Sequence, residues 1–372
     1  MEQELHFTQD ALEAYCVAKL TELSENDNLS INNDSKSKYQ VYEDYCDERD
    51  IDPSVDKSGK VYYETYNQYL PVFWENLKNC YPDSKFDFVD VEKEYRNLKK
   101  KGDFVIEIEN VGSKSVSLKA YKKDIKRIQV CSGTFNSFIT NFCFDKKGVG
   151  TYWAQDGGSF HGKDVEKRDG EIEKLGLSNI LPDLHKLDKI NSDAKEYFVY
   201  NDESEWYQNI EKDWVQSRKD CGHLGKDLTL KIISENFSDE QVKSRLLDQI
   251  GFNGEEELLL LDPDRVIDSI TDKNFQSLIN RVRFDSTINY YKKGKGINFD
   301  FVDGNGDVLL TVYIPFTLNK NGAWYLPKDK KGKFHKKEGI FLEYGQRRPK
   351  KSKELCTSIN SYVELGKTGI LS

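Results

Sequence analysis

The sequence predicts an α/β protein, and three observations support that fold class. Residues 102–120 alternate apolar and polar side chains on either side of a turn, as a half-exposed β-hairpin does. Residues 8–23, 238–250 and 263–281 repeat apolar side chains at helical spacing. Strand-like alternation returns after residue 296, around turns rich in Gly and Asn.

This order of patterns suggests three regions along the 372 residues. We expect N-terminal helices and a core that contains the hairpin in 1–160, an acidic helical region in 161–285, and a basic, β-rich region in 286–372. Helices are also expected over 88–100 and at the start of 122–143, on either side of the hairpin. A chain of this length can form one large domain or two.

The hairpin within 102–120 has one apolar and one polar face. The apolar set of its first strand is Phe104, Ile106 and Ile108. A turn centred on Val111 would place Asp103 opposite Lys119, and Glu107 opposite Ser115. Cross-strand partners lie roughly 5 Å apart, so the polar face would gather acids, hydroxyls and an amine. An ordinary hairpin with a solvated polar face would show the same pattern, and the residues alone leave both interpretations open.

The spacing between Asp103 and the S-x-K triplet that begins at Ser117 resembles the active-site motif of the PD-(D/E)XK nuclease superfamily, and most of all that of type II restriction endonucleases. The resemblance covers residues 102–129 and implies a core of mixed sheet flanked by helices. It implies that Asp103 binds Mg²⁺, that Lys119 orients the attacking water and contacts the phosphate, and that Ser117 hydrogen-bonds near the metal or the scissile phosphate. Gly102 stands where the family usually has proline.

Ser117 also departs from the family pattern, because it occupies the place of a second carboxylate. Some relatives with serine there recruit a carboxylate from elsewhere, so the second metal ligand stays open. The candidates are Glu107, on the same face as Asp103, and Glu64 and Glu75, on a helix before the hairpin. Gln129, on the helix expected next, is a further catalytic candidate by the same resemblance.

Charge is unevenly distributed along the chain, whose net charge is −9. Residues 281–372 hold 18 Lys and Arg against 9 Asp and Glu, whereas the other residues hold 37 against 55. Basic runs at a carboxylate site suit a polyanion, and binding that neutralises phosphates is salt-sensitive. The candidate DNA contacts are Lys122, Lys123, Gln346, Arg347, Arg348, Lys350 and Lys351. Lysine runs are also common on surfaces that only face solvent, and this alternative stays open.

Other features narrow the class of protein. The seven cysteines are scattered without C-x-x-C spacing, which fits a reducing compartment and gives no zinc motif. The acidic N-terminus is unlike a signal peptide, and there is no run of 18 apolar residues. We therefore expect a cytoplasmic protein of a prokaryotic or viral host cell that does not associate with a membrane.

The sequence, with its resemblance, leads us to expect a Mg²⁺-dependent, sequence-specific endonuclease acting on double-stranded DNA. A homodimer is expected if the target is palindromic, since a two-fold DNA site calls for a two-fold protein. Two alternatives remain open. One is a repair or replication nuclease of the same fold, and the other is a DNA-binding protein whose hairpin is only structural.

Overall fold

A computed structural model shows mixed α/β architecture. It describes residues 3–31, 61–90, 102–120, 127–134, 142–144, 163–185, 226–262, 265–294, 296–318, 324–325, 340–343, 346–348 and 359–366. The longer helices in this part of the chain are α1 (Gln3–Asn26), α2 (Val61–Cys80), α3 (Lys163–Lys174), α4 (226–236), α5 (Asp239–Ile250) and α6 (Lys273–Phe284). A short helical segment also covers 178–185. None of these helices is long and apolar enough to cross a membrane.

The strands form three sheets. They are β1 (Phe86–Asp90), β2 (Phe104–Ile108), β3 (Gly112–Ala120), β4 (Arg127–Thr134), β5 (Glu257–Asp262), β6 (Arg265–Asp268), β7 (Ser286–Lys293), β8 (Gly296–Asp303), β9 (Val308–Leu318), β10 (Trp324–Tyr325), β11 (Ile340–Glu343), β12 (Gln346–Arg348) and β13 (Ile359–Gly366). The first sheet has the order β1-β2-β3-β5-β6, and the second has the order β4-β13-β9-β8-β7. Strands β10, β11 and β12 make a small third sheet.

The first sheet is mixed, because β3 and β5 run parallel while its other neighbouring pairs are antiparallel. Helices α1 and α2 pack against one of its faces. Trp74 of α2 meets Phe86 of β1 edge to face there, with ring centroids 5.0 Å apart. The prediction of a mixed sheet flanked by helices is thereby confirmed.

Strand β5 is apolar on both faces, which explains why it lies inside the sheet. Leu259 and Leu261 join the core under α1 and α2, and Leu258 and Leu260 join a second core. That second core also contains α5, α6 and the inner face of the second sheet. Two separate cores therefore lie on opposite faces of β5, one under α1 and α2 and the other beneath the second sheet.

The second sheet confirms the strand-like alternation predicted after residue 296, because β8 and β9 pair as a hairpin whose turn lies around residues 303–307. The other strand pairs at this end of the second sheet join distant parts of the sequence, because β13 lies between β9 and β4. Strand β11 near residue 340 also lies in the region expected to be β-rich, 286–372.

Four sequence predictions need correction. The helix predicted over 88–100 is wrong at its start, because β1 runs to Asp90. The helix predicted at the start of 122–143 is wrong for the described residues, because Arg127–Thr134 is strand β4. The region predicted as helical, 161–285, holds α3 to α6 but also supplies β5 and β6 to the first sheet. The helix predicted over 263–281 is therefore wrong at its start, because Arg265–Asp268 is strand β6 and α6 begins only at Lys273.

Candidate active site

Asp103 immediately precedes β2 and is held by the opposite strand. Its backbone N–H donates to the carbonyl of Val116 at 2.7 Å. Its Oδ2 accepts from the backbone N–H of Leu118 at 2.6 Å and from the hydroxyl of Ser117 at 3.4 Å. The carboxylate is thus fixed against the S-x-K triplet, and only 19% of its side chain is exposed.

Lys119 completes this group. Its Nζ lies 3.5 Å from Oδ2 of Asp103, and 21% of its side chain is exposed. The structure therefore brings together the acid, the hydroxyl and the amine that the sequence pattern singled out: Asp103, Ser117 and Lys119. We call these three residues the Asp-Ser-Lys group.

The strand register differs from the prediction by two residues. Glu107 lies opposite Ser113 rather than Ser115, and continuing this register places Asp103 opposite Ser117 rather than Lys119. Side chains alternate with a period of two, so a shift of two residues leaves each of them on its predicted face. Lys119 reaches Asp103 diagonally, a distance that a long side chain can span.

The turn explains this register. Asn110 adopts a left-handed φ of 64°, and the N–H of Val111 donates to the carbonyl of Ile108 at 3.0 Å. Gly112 has a φ of 114°, which favours glycine, and already pairs with Ile108 as the first residue of β3. The turn is consequently centred on Asn110.

Gly102 has a steric role beside the Asp-Ser-Lys group. A Cβ atom at this position would lie 2.1 Å from the hydroxyl oxygen of Ser115 and 3.2 Å from the backbone nitrogen of Val116. Proline also carries a Cβ atom. This close approach gives a physical reason why glycine stands where the resembling family usually has proline.

The predicted second carboxylates do not join the described contacts of Asp103. Glu107 accepts hydrogen bonds from the hydroxyl of Ser113 near the turn. It is four residues along the strand from Asp103, or about 13 Å, too far to share one ion. Glu75 pairs with Lys78 and is 63% exposed. Glu64 lies on α2, and its side chain falls outside the described part of the structure.

The remaining predicted site residues lie elsewhere. Gln129 is on β4 of the second sheet, opposite Glu364, so the prediction that a helix carries it is wrong. The backbone of Gln346, Arg347 and Arg348 forms β12. Lys122, Lys123, Lys350 and Lys351 lie outside the described residues.

Helix α1 contains a buried carboxylate, Glu13, that the sequence analysis did not single out. Glu13 is on its buried side, only 6% exposed, one helical turn before the fully buried Cys16 and Val17. Burial raises the pKa of the Cys16 thiol, and the nearby charges of Glu13 and Asp103 raise it further. Helical spacing is the sequence signal that could have revealed this burial. Glu13 precedes Cys16, Val17 and Leu20 by three, four and seven residues, which places all four on one face of the helix.

The oxygen donors at the Asp-Ser-Lys group suit a hard cation. Mg²⁺ prefers oxygen ligands and is usually held by one or two carboxylates, with water and phosphate completing its shell. Asp103 and Ser117 supply a carboxylate and a hydroxyl within hydrogen-bonding distance of each other. Among the residues that the structure describes, no group of three or more His, Cys, Asp and Glu side chains could hold a metal.

Comparison with known proteins adds no assignment. No protein-family model, no curated protein and no solved structure matches the chain.

Proposed function

We propose that this protein is a Mg²⁺-dependent endonuclease that cuts double-stranded DNA at a specific sequence, as a type II restriction enzyme does. The observation that carries the proposal is the contact between Asp103 and Lys119 on one face of the β2–β3 hairpin. The sequence motif predicts this contact, whereas a purely structural hairpin does not require it. The mixed sheet flanked by helices agrees with the fold that the resemblance implies.

The three residues have distinct roles in this proposal. Asp103 binds the metal, and its Oδ2 is oriented by the N–H of Leu118. Lys119 donates hydrogen bonds to the attacking water and to the scissile phosphate, whose growing negative charge its ammonium stabilises. Ser117 donates to Asp103 and keeps the carboxylate facing Lys119. A bound Mg²⁺ would lower the pKa of a coordinated water and offset charge on the phosphate.

DNA binding in this proposal relies on the basic C-terminal region. Residues 281–372 carry twice as many basic as acidic side chains, and β12 places Gln346, Arg347 and Arg348 in the third sheet. Arginine and glutamine are side chains that read guanine and adenine in the major groove. A homodimer would place two Asp-Ser-Lys groups on the two strands of a palindromic site.

The proposal can be tested on phage DNA. Purified protein is incubated with the DNA and Mg²⁺, the products are separated on a gel, and their ends are sequenced. We expect discrete fragments with a common end sequence, and intact DNA when EDTA replaces Mg²⁺. A smear would indicate a nuclease without sequence preference. DNA that stays intact but is retarded on the gel would contradict the enzymatic proposal and favour a DNA-binding protein.

A further inference from the structure

The outer face of the second sheet carries a buried amide that lacks a hydrogen bond. Strand β8 alternates between Ile297, Phe299 and Phe301, which belong to the core, and side chains on the opposite, outer face. Asn298 is on that outer face and is only 2% exposed. Its Nδ2 donates to the hydroxyl of Tyr291 at 3.1 Å, but its buried Oδ1 accepts no hydrogen bond from the described part of the chain. A buried polar atom without a partner costs stability and is unusual unless a ligand or water binds it.

Two tyrosines flank Asn298 in the strand register. Tyr291 of β7 and Tyr313 of β9 are its direct partners on the neighbouring strands, so all three side chains are on the outer face. Tyr291 is 43% exposed, which shows that solvent reaches this face. We call Tyr291, Asn298 and Tyr313 the tyrosine row. The tyrosine row presents an accessible aromatic ring beside a hydrogen-bond acceptor.

A second acceptor follows Asn298 on the same face. Asp300 is two residues further along β8, or about 7 Å, and is 9% exposed. Its Oδ1 accepts from the hydroxyl of Thr311, its partner on β9, at 2.6 Å. The amide oxygen of Asn298 and the carboxylate of Asp300 can only accept hydrogen bonds. A ligand that binds both atoms must therefore offer donors.

Positive charge borders the tyrosine row at the turn between β7 and β8. Lys293 is exposed and is two residues beyond Tyr291, so both are on the same face. Its neighbour Lys292 is on the opposite face, where it pairs with Asp227 at 2.7 Å. An aromatic ring with a nearby cation suits a nucleotide, because the base stacks on the ring while the phosphate contacts the cation.

We infer that the outer face of the second sheet binds single-stranded DNA through an unpaired base that carries an exocyclic amino group. The base stacks on Tyr291, its amino group donates to Oδ1 of Asn298, and Lys293 contacts a phosphate. Because Oδ1 is closed to water, the ring of Tyr291 shifts as the base enters. In duplex DNA the amino group is paired and the base is stacked, so the site selects unpaired strands. This inference is independent of the proposed nuclease function.

Binding is measured with the full-length protein in EDTA at about pH 8, where Asp300 is ionised and the proposed metal-dependent cleavage does not occur. The probes are fluorescein-labelled strands of deoxycytidine and of deoxyuridine of equal length. Cytosine carries an amino group at the ring position where uracil carries an oxygen that only accepts. Fluorescence anisotropy should show that the deoxycytidine strand binds at least about fivefold more tightly. Equal affinity for the two strands, or no binding of either, would overturn the inference.

Variants of two exposed residues test the stacking and the phosphate contact. Tyr291→Ala should fold and bind the deoxycytidine strand at least about fivefold more weakly, whereas Tyr291→Phe keeps the ring and should bind like the wild type. Lys293→Ala should weaken binding and lower its salt dependence by the contribution of about one phosphate. Lys292→Ala is the matched control and should change neither. Wild-type affinity of Tyr291→Ala would overturn the inference.

Thermal unfolding without DNA separates a binding role of Asn298 from a structural one. Asn298→Leu removes the unpartnered oxygen and leaves the exposed hydroxyl of Tyr291 to water, so this variant should unfold at or above the wild-type temperature. It should also bind the deoxycytidine and deoxyuridine strands with equal, weakened affinity. A lower unfolding temperature combined with wild-type affinity would show a structural amide and overturn the inference. Should Asn298→Leu fail to fold, the comparison of Tyr291→Ala with Tyr291→Phe decides the inference.

Discussion

Lys119 reaches the carboxylate of Asp103 diagonally across the β2–β3 hairpin, with 3.5 Å between Nζ and Oδ2. The residue directly opposite Asp103 in the strand register is Ser117. The acid and the amine meet because both lie on the same face and because the lysine side chain is long. The proposed chemistry depends on this shared face and not on direct opposition in the register.

Gly102→Ala should destabilise the protein. The added Cβ would lie 2.1 Å from the Ser115 hydroxyl oxygen and 3.2 Å from the backbone nitrogen of Val116, so either the Ser115 side chain or the strand must shift. Overpacking of this kind costs about 1–3 kcal/mol. Urea denaturation of Gly102→Ala and wild type measures the difference in the free energy of unfolding.

The double variant Gly102→Ala/Ser115→Ala provides the control for this clash. Removing the hydroxyl leaves the Ser115 Cβ at 3.3 Å as the nearer side-chain atom, so much of the lost stability should return. A double variant no more stable than Gly102→Ala would show that the Ser115 hydroxyl is not the cause.

The described cysteines should differ sharply in reactivity. Burial raises the pKa of the Cys143 thiol to about 12, and the pKa of Cys16 is also raised, whereas Cys80 is exposed. Because the thiolate is the reactive form, a thiol with this pKa is ionised in only about one molecule in ten thousand at pH 8. Alkylation with iodoacetamide, mapped by mass spectrometry, should label Cys80 in the folded protein and label Cys16 and Cys143 only after unfolding. Rapid labelling of Cys16 in the folded protein would contradict its burial on the inward face of α1.

The β8–β9 turn should weaken in acid. The backbone N–H groups of Asp307 and Asn305 donate to the carboxylate of Asp303, and together with Arg281 they hold its pKa below the ordinary value of 3.8. Because the pKa of Asp303 is lower in the folded than in the unfolded protein, these interactions of its carboxylate contribute fully to stability above pH 3.8. Their contribution is lost as the pH falls through the pKa that Asp303 has in the folded protein. Hydrogen exchange at the amides of Asn305 and Asp307 should therefore lose protection at low pH.

Asp303→Asn is the control for this turn. The side-chain oxygen of this variant still accepts from the backbone N–H groups of Asn305 and Asp307 but does not titrate. The protection of these two N–H groups against exchange should therefore change much less over the same pH range. An equal loss of protection in wild type and Asp303→Asn would place the acid-sensitive group elsewhere.

Local patterns were sufficient to predict the β2–β3 hairpin and its two faces, because side-chain alternation is a property of the strand itself. They did not fix the register, which depends on the left-handed φ of Asn110 and Gly112. The strand that carries Gln129 was missed because its partner, β13, lies near the end of the chain, and pairing between such distant segments leaves little local signal.

Glu13 shows a different limit of sequence reasoning. The helix was predicted correctly over 8–23, but from the sequence Glu13 could as well belong to a solvated face. Only the packing of α1 on the first sheet shows that this carboxylate is 6% exposed and acts on the same thiol as Asp103. Burial depends on the tertiary fold, so the pattern of one helix could not reveal it.

The central claim is that Lys119 and Asp103 form a catalytic pair, and the cleavage rate of Lys119→Ala tests it most directly. Lys114→Ala is the matched control, because Lys114 is on the same strand but pairs with Glu257 at 3.0 Å. With enzyme in excess over DNA and Mg²⁺ present, we expect Lys119→Ala to cut at least about 100-fold more slowly than wild type, since one positioned group contributes about 10²–10⁴ in rate. Lys114→Ala should cut at nearly the wild-type rate. Cleavage by Lys119→Ala at the wild-type rate would contradict the claim.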